Sequence, residues 1–184
     1  MDYRPLLAYF IIFILYRISE IFITIRVGSF KRRPKCEWTM PLIHWLFVLA
    51  TVVPVLEYIY LRSGPGYISY LCGGSLFILG TFFRVKGHLD LKKGFSPAVE
   101  LIEDQRLVDT GLYRYIRHPL YIGSICLFFA CPLFLGSRFS LVLSFMGLFA
   151  IFLRIRKEEK FLVKNMEGYE EYMNRTWALI PKVY

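Results

Sequence analysis

The sequence predicts an all-α integral membrane protein with five transmembrane helices. Of its 184 residues, 56% are hydrophobic and 18% are aromatic, which is more apolar surface than a soluble domain of this size can bury. Five apolar runs have spanning length or nearly so. They cover residues 5–25, 38–61, 66–83, 119–135 and 139–153. With a tail over residues 154–184, they are predicted to form one membrane-embedded domain.

The runs differ in what bounds them. The first follows almost no positive charge and precedes no small-residue cleavage motif, so we expect an anchor and not a removable signal. The fourth begins at Pro119, because proline suits the first turn of a helix. Gly136 is the predicted turn before the fifth run, whose 15 residues give only about 22 Å of helix. Its charged end is therefore expected to lie in the headgroup layer, unless the membrane is locally thin.

The net charge of +9 is distributed around the apolar runs and is not concentrated in one segment. Most of the 23 Lys and Arg residues lie within 26–35, 84–117 and 154–182. The positive-inside rule then places the N-terminus outside and the C-terminus in the cytosol. This distribution indicates membrane orientation and argues against a nucleic-acid partner.

Two cytosolic segments are long enough to build a pocket. Residues 87–116 read as a loop with a short amphipathic element. A helical pattern continues from Lys157 to Met173, and Gly168 is expected to break it before a short helix near residues 169–175. We expect a cytosolic pocket formed by the last two spans, the 87–116 loop and this tail, which folds back as a lid.

The sequence gives no sign of a metal site. Cys36, Cys72, Cys126 and Cys131 form no CxxC pair and have no histidine at metal-ligand spacing, so we expect free thiols. His44 and His88 also lack acidic or cysteine partners at useful spacing.

Two polar clusters bound the last apolar hairpin. Arg117-His118-Pro119-Leu120-Tyr121-Ile122-Gly123 begins the fourth run, and Arg154-Ile155-Arg156-Lys157-Glu158-Glu159 ends the fifth. His118 and Arg154 each lie 18 residues from Gly136, or roughly 27 Å along a helix. The two clusters are therefore predicted to meet at one membrane face.

Simpler interpretations exist for these residues. His118 and Pro119 can mark a helix start, and Arg154 with Glu158 can form an ordinary i,i+4 ion pair. Ionisable groups at a membrane interface are nevertheless candidates for function. Arg17 and Glu20 have no comparable motif and are interpreted as a structural pair, and Glu57 is expected at the outer interface.

The order of motifs in the second half resembles the isoprenylcysteine carboxyl methyltransferase family, with much of the signature shared by membrane phospholipid methyltransferases. The motifs are Leu107-Val108-Asp109-Thr110-Gly111-Leu112-Tyr113, the cluster at 117–123, Arg154, Glu158-Glu159, Gly168-Tyr169 and Tyr172. The resemblance implies S-adenosylmethionine as methyl donor. It places the cofactor contacts on Leu107, Val108, Tyr113, His118, Pro119, Tyr121 and Glu158, and the substrate-carboxylate contact on Arg154.

The resemblance also implies a reaction: methylation of the carboxylate of a prenylcysteine-like, lipid-modified substrate that reaches the site from the bilayer. Guanidinium suits this task because it stays charged and can bind a carboxylate with two hydrogen bonds. One alternative is N-methylation of a phospholipid amine, for which Glu159 would be the base. Another is a non-catalytic membrane scaffold with the same fold.

Overall fold

The computed structural model describes residues 3–27, 38–61, 64–91 and 107–180. Over these residues the chain is helical, with one isolated parallel bridge between Ile116 and Trp177. The helices are α1 (Arg4–Val27), α2 (Thr39–Tyr60), α3 (Tyr67–Leu91), α4 (Pro119–Leu135), α5 (Arg138–Asn165) and α6 (Tyr169–Arg175), and a 3-10 turn covers Gly111–Arg114.

Four helices of the described chain are long and apolar enough to cross a membrane, namely α1, α2, α3 and α5. The fourth predicted span is the apolar helix α4, which has only 17 residues. The protein is an integral membrane protein. The fifth apolar run, residues 139–153, lies within α5, which has 28 residues and continues through the charged residues after Arg154.

Close packing of α3 against α4 organises the bundle. Gly73, Gly80 and Gly87 recur every seven residues on α3, and all three are buried against α4. A methyl group at Gly73 would lie 2.6 Å from the Cα atom of Phe134, and one at Gly80 would lie 3.0 Å from the carbonyl oxygen of Gly123. Glycine at these positions lets the two backbones approach, as is common between membrane helices.

The α4–α5 hairpin turns at Gly136, as predicted. Gly136 has φ 73°, a left-handed conformation that favours glycine. Ser137 then caps α5 by accepting a hydrogen bond from Ser140 N at 3.2 Å. Glu57 of α2 accepts hydrogen bonds from the Ser137 hydroxyl and from Arg138 N. Glu57 is buried, with 8% exposure, because its carboxylate is enclosed at this helix start.

Helix α1 is attached to α3 through charged groups. The predicted pair is present, with Arg17 Nη1 2.9 Å from Glu20 Oε2. Glu20 also pairs with Arg84 of α3 and accepts a hydrogen bond from Tyr16 at 2.7 Å. Arg84 donates to Ser124 of α4 at 2.7 Å. The predicted local pair is therefore part of a network that joins three helices.

The predicted loop over 87–116 begins later than expected. Helix α3 continues to Leu91, and residues 92–106 lie outside the described residues. Two features favour the extra turn: Gly87 packs against Leu120, and Lys86 pairs with Asp90 four residues on. Asp90 also accepts a hydrogen bond from Leu112 N at 2.9 Å, so the end of α3 caps the 3-10 turn.

The C-terminal helices follow the prediction. Helix α5 ends at Asn165, Gly168 adopts φ 75°, and α6 begins at the next residue. Cys72, Cys126 and Cys131 are free thiols, as expected, while Cys36 lies outside the described residues.

We predict that Gly73→Ala destabilises the protein by about 1–3 kcal/mol, because the added methyl group would overlap the α4 backbone. The neighbouring Gly74→Ala is a matched control, since its methyl group would have its nearest contact at 3.7 Å. Alanine favours helix over glycine, so this variant should be neutral or stabilising. Thermal unfolding in detergent measures both, and equal melting temperatures would contradict the packing described.

Candidate active site

The hydroxyl of Tyr121 connects the two predicted clusters. It donates to Glu158 Oε2 at 2.6 Å and accepts from Arg154 Nε at 3.2 Å. Tyr121 belongs to the first turn of α4, whereas Arg154 and Glu158 lie one turn apart on α5. The clusters therefore meet at one end of the hairpin, as their equal distance from Gly136 predicts.

A second connection joins His118 to the same helix. His118 Nε2 lies 3.1 Å from Glu159 Oε1, and Arg117 Nε donates to that same oxygen at 2.8 Å. The His118 side chain is buried, with 6% exposure, and its ring lies 5.4 Å from that of Tyr121. Two consecutive residues before α4 thus converge on one carboxylate of α5.

The backbone explains the orientation of His118. It is the N-cap residue of α4 and has φ −125° and ψ 58°, while Pro119 occupies the first helical position. Its N–H donates to Ala178 O at 3.1 Å, and Arg117 N–H donates to Trp177 O at 2.8 Å. The segment before α4 is therefore held in a short parallel pairing with the C-terminal tail.

Three tyrosines lie between the tail and the 3-10 turn. Tyr172 of α6 donates to the carbonyl of Tyr113 at 2.6 Å. Burial raises the pKa of Tyr172 to about 12, so it remains a protonated donor at neutral pH. Burial, followed by the charge of Glu158, raises the pKa of Tyr113. Burial, followed by the charges of Glu159 and Glu158, raises the pKa of Tyr169.

Arg154 is almost fully buried, with 1% exposure. Besides its contact with Tyr121, its Nη1 donates to the hydroxyl of Thr39 at 3.1 Å. Thr39 is the first residue of α2. The burial is nearly complete because residues of α2 and α4 cover the guanidinium.

The predicted residues fall into two groups. Polar contacts link Tyr113, His118, Tyr121, Arg154 and Glu158 to the network of tail, α4 and α5. Pro119 is buried and begins α4. The remaining two, Leu107 and Val108, are half-buried apolar residues that precede the 3-10 turn and take no part in this network of side-chain hydrogen bonds. No group of three or more metal-ligating side chains occurs within the described ranges.

Two residues have larger roles in the structure than the sequence predicts. The sequence predicts Glu159 only as a candidate base, yet this side chain contacts both Arg117 and His118. The sequence predicts no role for Thr39, although Thr39 contacts Arg154 from 115 positions away. Motif spacing could have indicated Glu159, but nothing local marks a threonine at the start of an apolar helix.

The fold and the site define a helical membrane protein with a buried polar centre at one end of its bundle. A family model described as phospholipid methyltransferase matches residues 68–168. The chain therefore belongs to the phospholipid methyltransferase family, and the resemblance identified from its motifs is confirmed.

Curated relatives and a solved structure agree with this assignment. A protein-S-isoprenylcysteine O-methyltransferase of Schizosaccharomyces pombe is 30% identical over 120 residues, covering 63% of this chain and 48% of that protein. A methanethiol S-methyltransferase of a Pseudomonas species is 30% identical over 118 residues, covering 60% and 43%. The structure of a eukaryotic intramembrane Ras methyltransferase, isoprenylcysteine carboxyl methyltransferase, matches with TM-score 0.76 at 21% identity, covering 98% of this chain and 67% of that one.

The solved structure and the curated relatives match different lengths of chain. The solved structure establishes that the whole described fold is shared. The matched region spans less than half the length of each of the two curated relatives. The names of the two relatives give different methyl acceptors, an oxygen of isoprenylcysteine in one and the sulfur of methanethiol in the other.

We predict that Tyr172→Phe loosens the tail, because it removes the hydroxyl that satisfies the buried carbonyl of Tyr113. Leaving that group unpaired costs about 1–3 kcal/mol. Hydrogen–deuterium exchange at the Trp177 amide, which donates to Tyr115 O, should become faster. Tyr60→Phe, at a position that is 79% exposed, is the control and should leave this exchange unchanged. Unchanged exchange in both variants would show that the hydroxyl does not hold the tail.

Proposed function

We propose that the protein is a methyltransferase that transfers a methyl group from S-adenosylmethionine to the carboxylate of a lipid-modified, prenylcysteine-like substrate at the membrane surface. The observation that carries the proposal is the Tyr121 hydroxyl, which joins Arg154 to Glu158. A cation and a carboxylate are thereby held side by side at the end of an apolar bundle, where a polar donor and a lipid acceptor can meet. Membership of the phospholipid methyltransferase family supports methyl transfer as the reaction class.

The residues around Tyr121 suit this donor. Glu158 and Glu159 offer carboxylate oxygens for an ammonium group or ribose hydroxyls. Tyr113, Tyr121 and His118 offer aromatic faces for an adenine ring or a methionine chain. We propose that Glu158 and His118 hold the polar groups of the donor and that the tyrosines pack against the rest. Leu107, Val108 and Pro119 complete the proposed donor contacts.

S-adenosylmethionine, when bound, supplies a methyl group on a sulfonium sulfur that an oxygen nucleophile can attack in line. A carboxylate has a pKa of about 3.3–3.7 in an α-carboxyl group and is already ionised at neutral pH. The protein therefore has to align the reactants, exclude water and keep the acceptor charged, and it needs no general base for this acceptor.

Arg154 fits the last of these tasks. Its guanidinium remains charged when buried, and its planar fork matches the two oxygens of a carboxylate. The structure buries it to 1% exposure, where a charge is poorly screened by water. We propose that Arg154 binds the acceptor carboxylate and stabilises its ionised form during transfer.

We further propose that the acceptor approaches from the bilayer. Moving a prenyl or acyl chain from hydrocarbon into water costs about 0.8 kcal/mol per CH₂ group, so a path between helices avoids this cost. The proposed topology has five spans, with α4 as the fourth, the N-terminus outside and the C-terminus in the cytosol. The basic residues at 26–35, 84–117 and 154–182 support this orientation.

The description of the matching family supports a second candidate, N-methylation of a phospholipid amine. An ammonium acceptor must first lose a proton, and Glu159 is the candidate base. Its Oε1 atom, however, is 2.8 Å from Arg117 Nε and 3.1 Å from His118 Nε2. The neighbouring guanidinium stabilises the ionised form of this carboxylate and makes Glu159 a weaker base, which supports our proposal of a carboxylate acceptor.

We predict that Arg154→Ala lowers turnover about 10²-fold or more, because it removes a charge that stabilises the reacting carboxylate. Donor affinity should change little. Arg154→Lys keeps the charge but lacks the planar fork, so it should give an intermediate rate. Lysine also fills most of the space of the buried arginine side chain, so this variant avoids the large cavity that alanine would create. Arg156→Ala, at an exposed position of the same helix, is the control and should retain turnover.

Glu158→Gln should mainly weaken donor binding, in contrast to Arg154→Ala, which should mainly lower turnover. We expect the affinity for S-adenosylmethionine to fall about tenfold through loss of a charge-assisted contact. Calorimetric titration with S-adenosylmethionine, set beside initial rates at saturating acceptor, separates the two effects. Equal loss of donor affinity and turnover in the Arg154 variants would refute this division of labour.

The acceptor class is tested with radiolabelled S-adenosylmethionine and three acceptors: a farnesylated cysteine derivative, phosphatidylethanolamine and methanethiol. We expect label in the first only, as a base-labile methyl ester. Label in phosphatidylethanolamine or in the thiol would reassign the acceptor. Absence of donor binding by the purified protein would instead indicate a non-catalytic scaffold.

A further inference from the structure

Thr39, at the start of α2, contacts the guanidinium of Arg154 from a helix that carries none of the family motifs. Its hydroxyl accepts a hydrogen bond from Arg154 Nη1 at 3.1 Å. The Thr39 residue has 0% exposure and Arg154 has 1%, so water does not compete for this contact. Together with Tyr121, two hydroxyl groups on different helices hold two different nitrogen atoms of one guanidinium.

We infer that Thr39 is a positioning residue that sets the plane of the Arg154 guanidinium for the acceptor carboxylate. This inference rests on the proposed function. A planar fork binds a carboxylate with two parallel hydrogen bonds only if it lies in the plane of both oxygens. Contacts at Nε and at Nη1 fix its rotation about the side-chain axis. A small error in such an orientation reduces rate strongly, since alignment supplies much of the acceleration.

The chemistry of threonine suits this role. A hydroxyl is uncharged, so it orients a cation and, unlike a carboxylate, does not neutralise it. The β-branched side chain has only two common rotamers in a helix, and the contact with Arg154 selects the one observed.

Helix α2, which begins at Thr39, contacts α5 at several points. Next to Thr39, Lys157 Nζ lies 4.3 Å from the centroid of the ring of Trp38, the N-cap residue of α2. Lys157 lies three residues after Arg154 on α5. From the first turn of α5, Ser140 Oγ donates to Ala50 O at 2.9 Å and Arg138 N donates to Glu57 at 3.2 Å. The contact between Thr39 and Arg154 is therefore one of several side-chain contacts that join the same two helices.

The test compares Thr39→Val, which keeps the shape and removes the acceptor, with Thr39→Ser, which keeps the hydroxyl. Thr51→Val is the matched control: the same substitution in the same helix, at a threonine whose hydroxyl donates only to Val48 O within that helix. Each protein is purified in detergent. The measurements are its melting temperature, its affinity for S-adenosylmethionine, and kcat and KM for a farnesylated cysteine derivative.

We expect Thr39→Val to raise KM, lower kcat, or both, so that kcat/KM falls about tenfold or more, as loss of a hydrogen bond to a charged group predicts. Donor affinity should match that of the unmodified protein, which also shows that the variant is folded. Thr39→Ser should restore most of the activity, and Thr51→Val should retain it.

Two results would overturn the inference. One is a Thr39→Val protein with the same kcat/KM as Thr51→Val. The other is a Thr39→Ser protein as impaired as Thr39→Val, which would assign the effect to packing and not to the hydroxyl. Failure of the proposed function looks different, because the unmodified protein would then bind the donor without methylating or binding the carboxylate acceptor.

Discussion

The buried guanidinium of Arg154 constrains the rest of the site. Removing a charge from water costs several kcal/mol unless the protein supplies other hydrogen-bond partners. Those partners include Tyr121 on α4 and Thr39 on α2, while Arg154 itself lies on α5. The three helices must therefore be aligned along the bundle axis so that these three side chains meet at one end of it. The glycine turn at 136 and the attachment of α2 to α5 both serve this geometry, because each fixes the height of one helix relative to another.

Helix α3 contributes to the site without carrying one of its motifs. Its glycines let α4 approach closely, and its final turn ends at Asp90, which caps the 3-10 turn that holds Tyr113. Gly111 has φ 61°, and a side chain there would overlap the Asp90 carboxylate. The 3-10 turn is therefore placed by α3 on one side and by Tyr172 of the tail on the other. Packing between α3 and α4 thus helps to determine the position of the Tyr113 side chain.

The sequence predicted most of the architecture because its signals are local. Apolar runs locate the membrane helices, Pro119 locates the start of α4, and Gly136 locates its end. Equal spacing from that turn brought His118 and Arg154 to one site, and the structure confirms the meeting through Tyr121 and Glu159.

What the sequence could not predict depends on contacts between distant residues. The apolar run of α3 stops at residue 83, yet the helix continues to Leu91 because Gly87 packs on Leu120. Likewise, Glu57 carries no local sign that it caps another helix.

The C-terminal tail could not be placed from the sequence either, since its pairing with residues 115–118 leaves no sequence pattern. Glu159 Oε1 contacts Arg117 and His118 together, and Arg117 also donates to the carbonyl of Met173 at the end of α6. One carboxylate and one guanidinium therefore link the tail to the imidazole, so the position of the tail helps to orient His118.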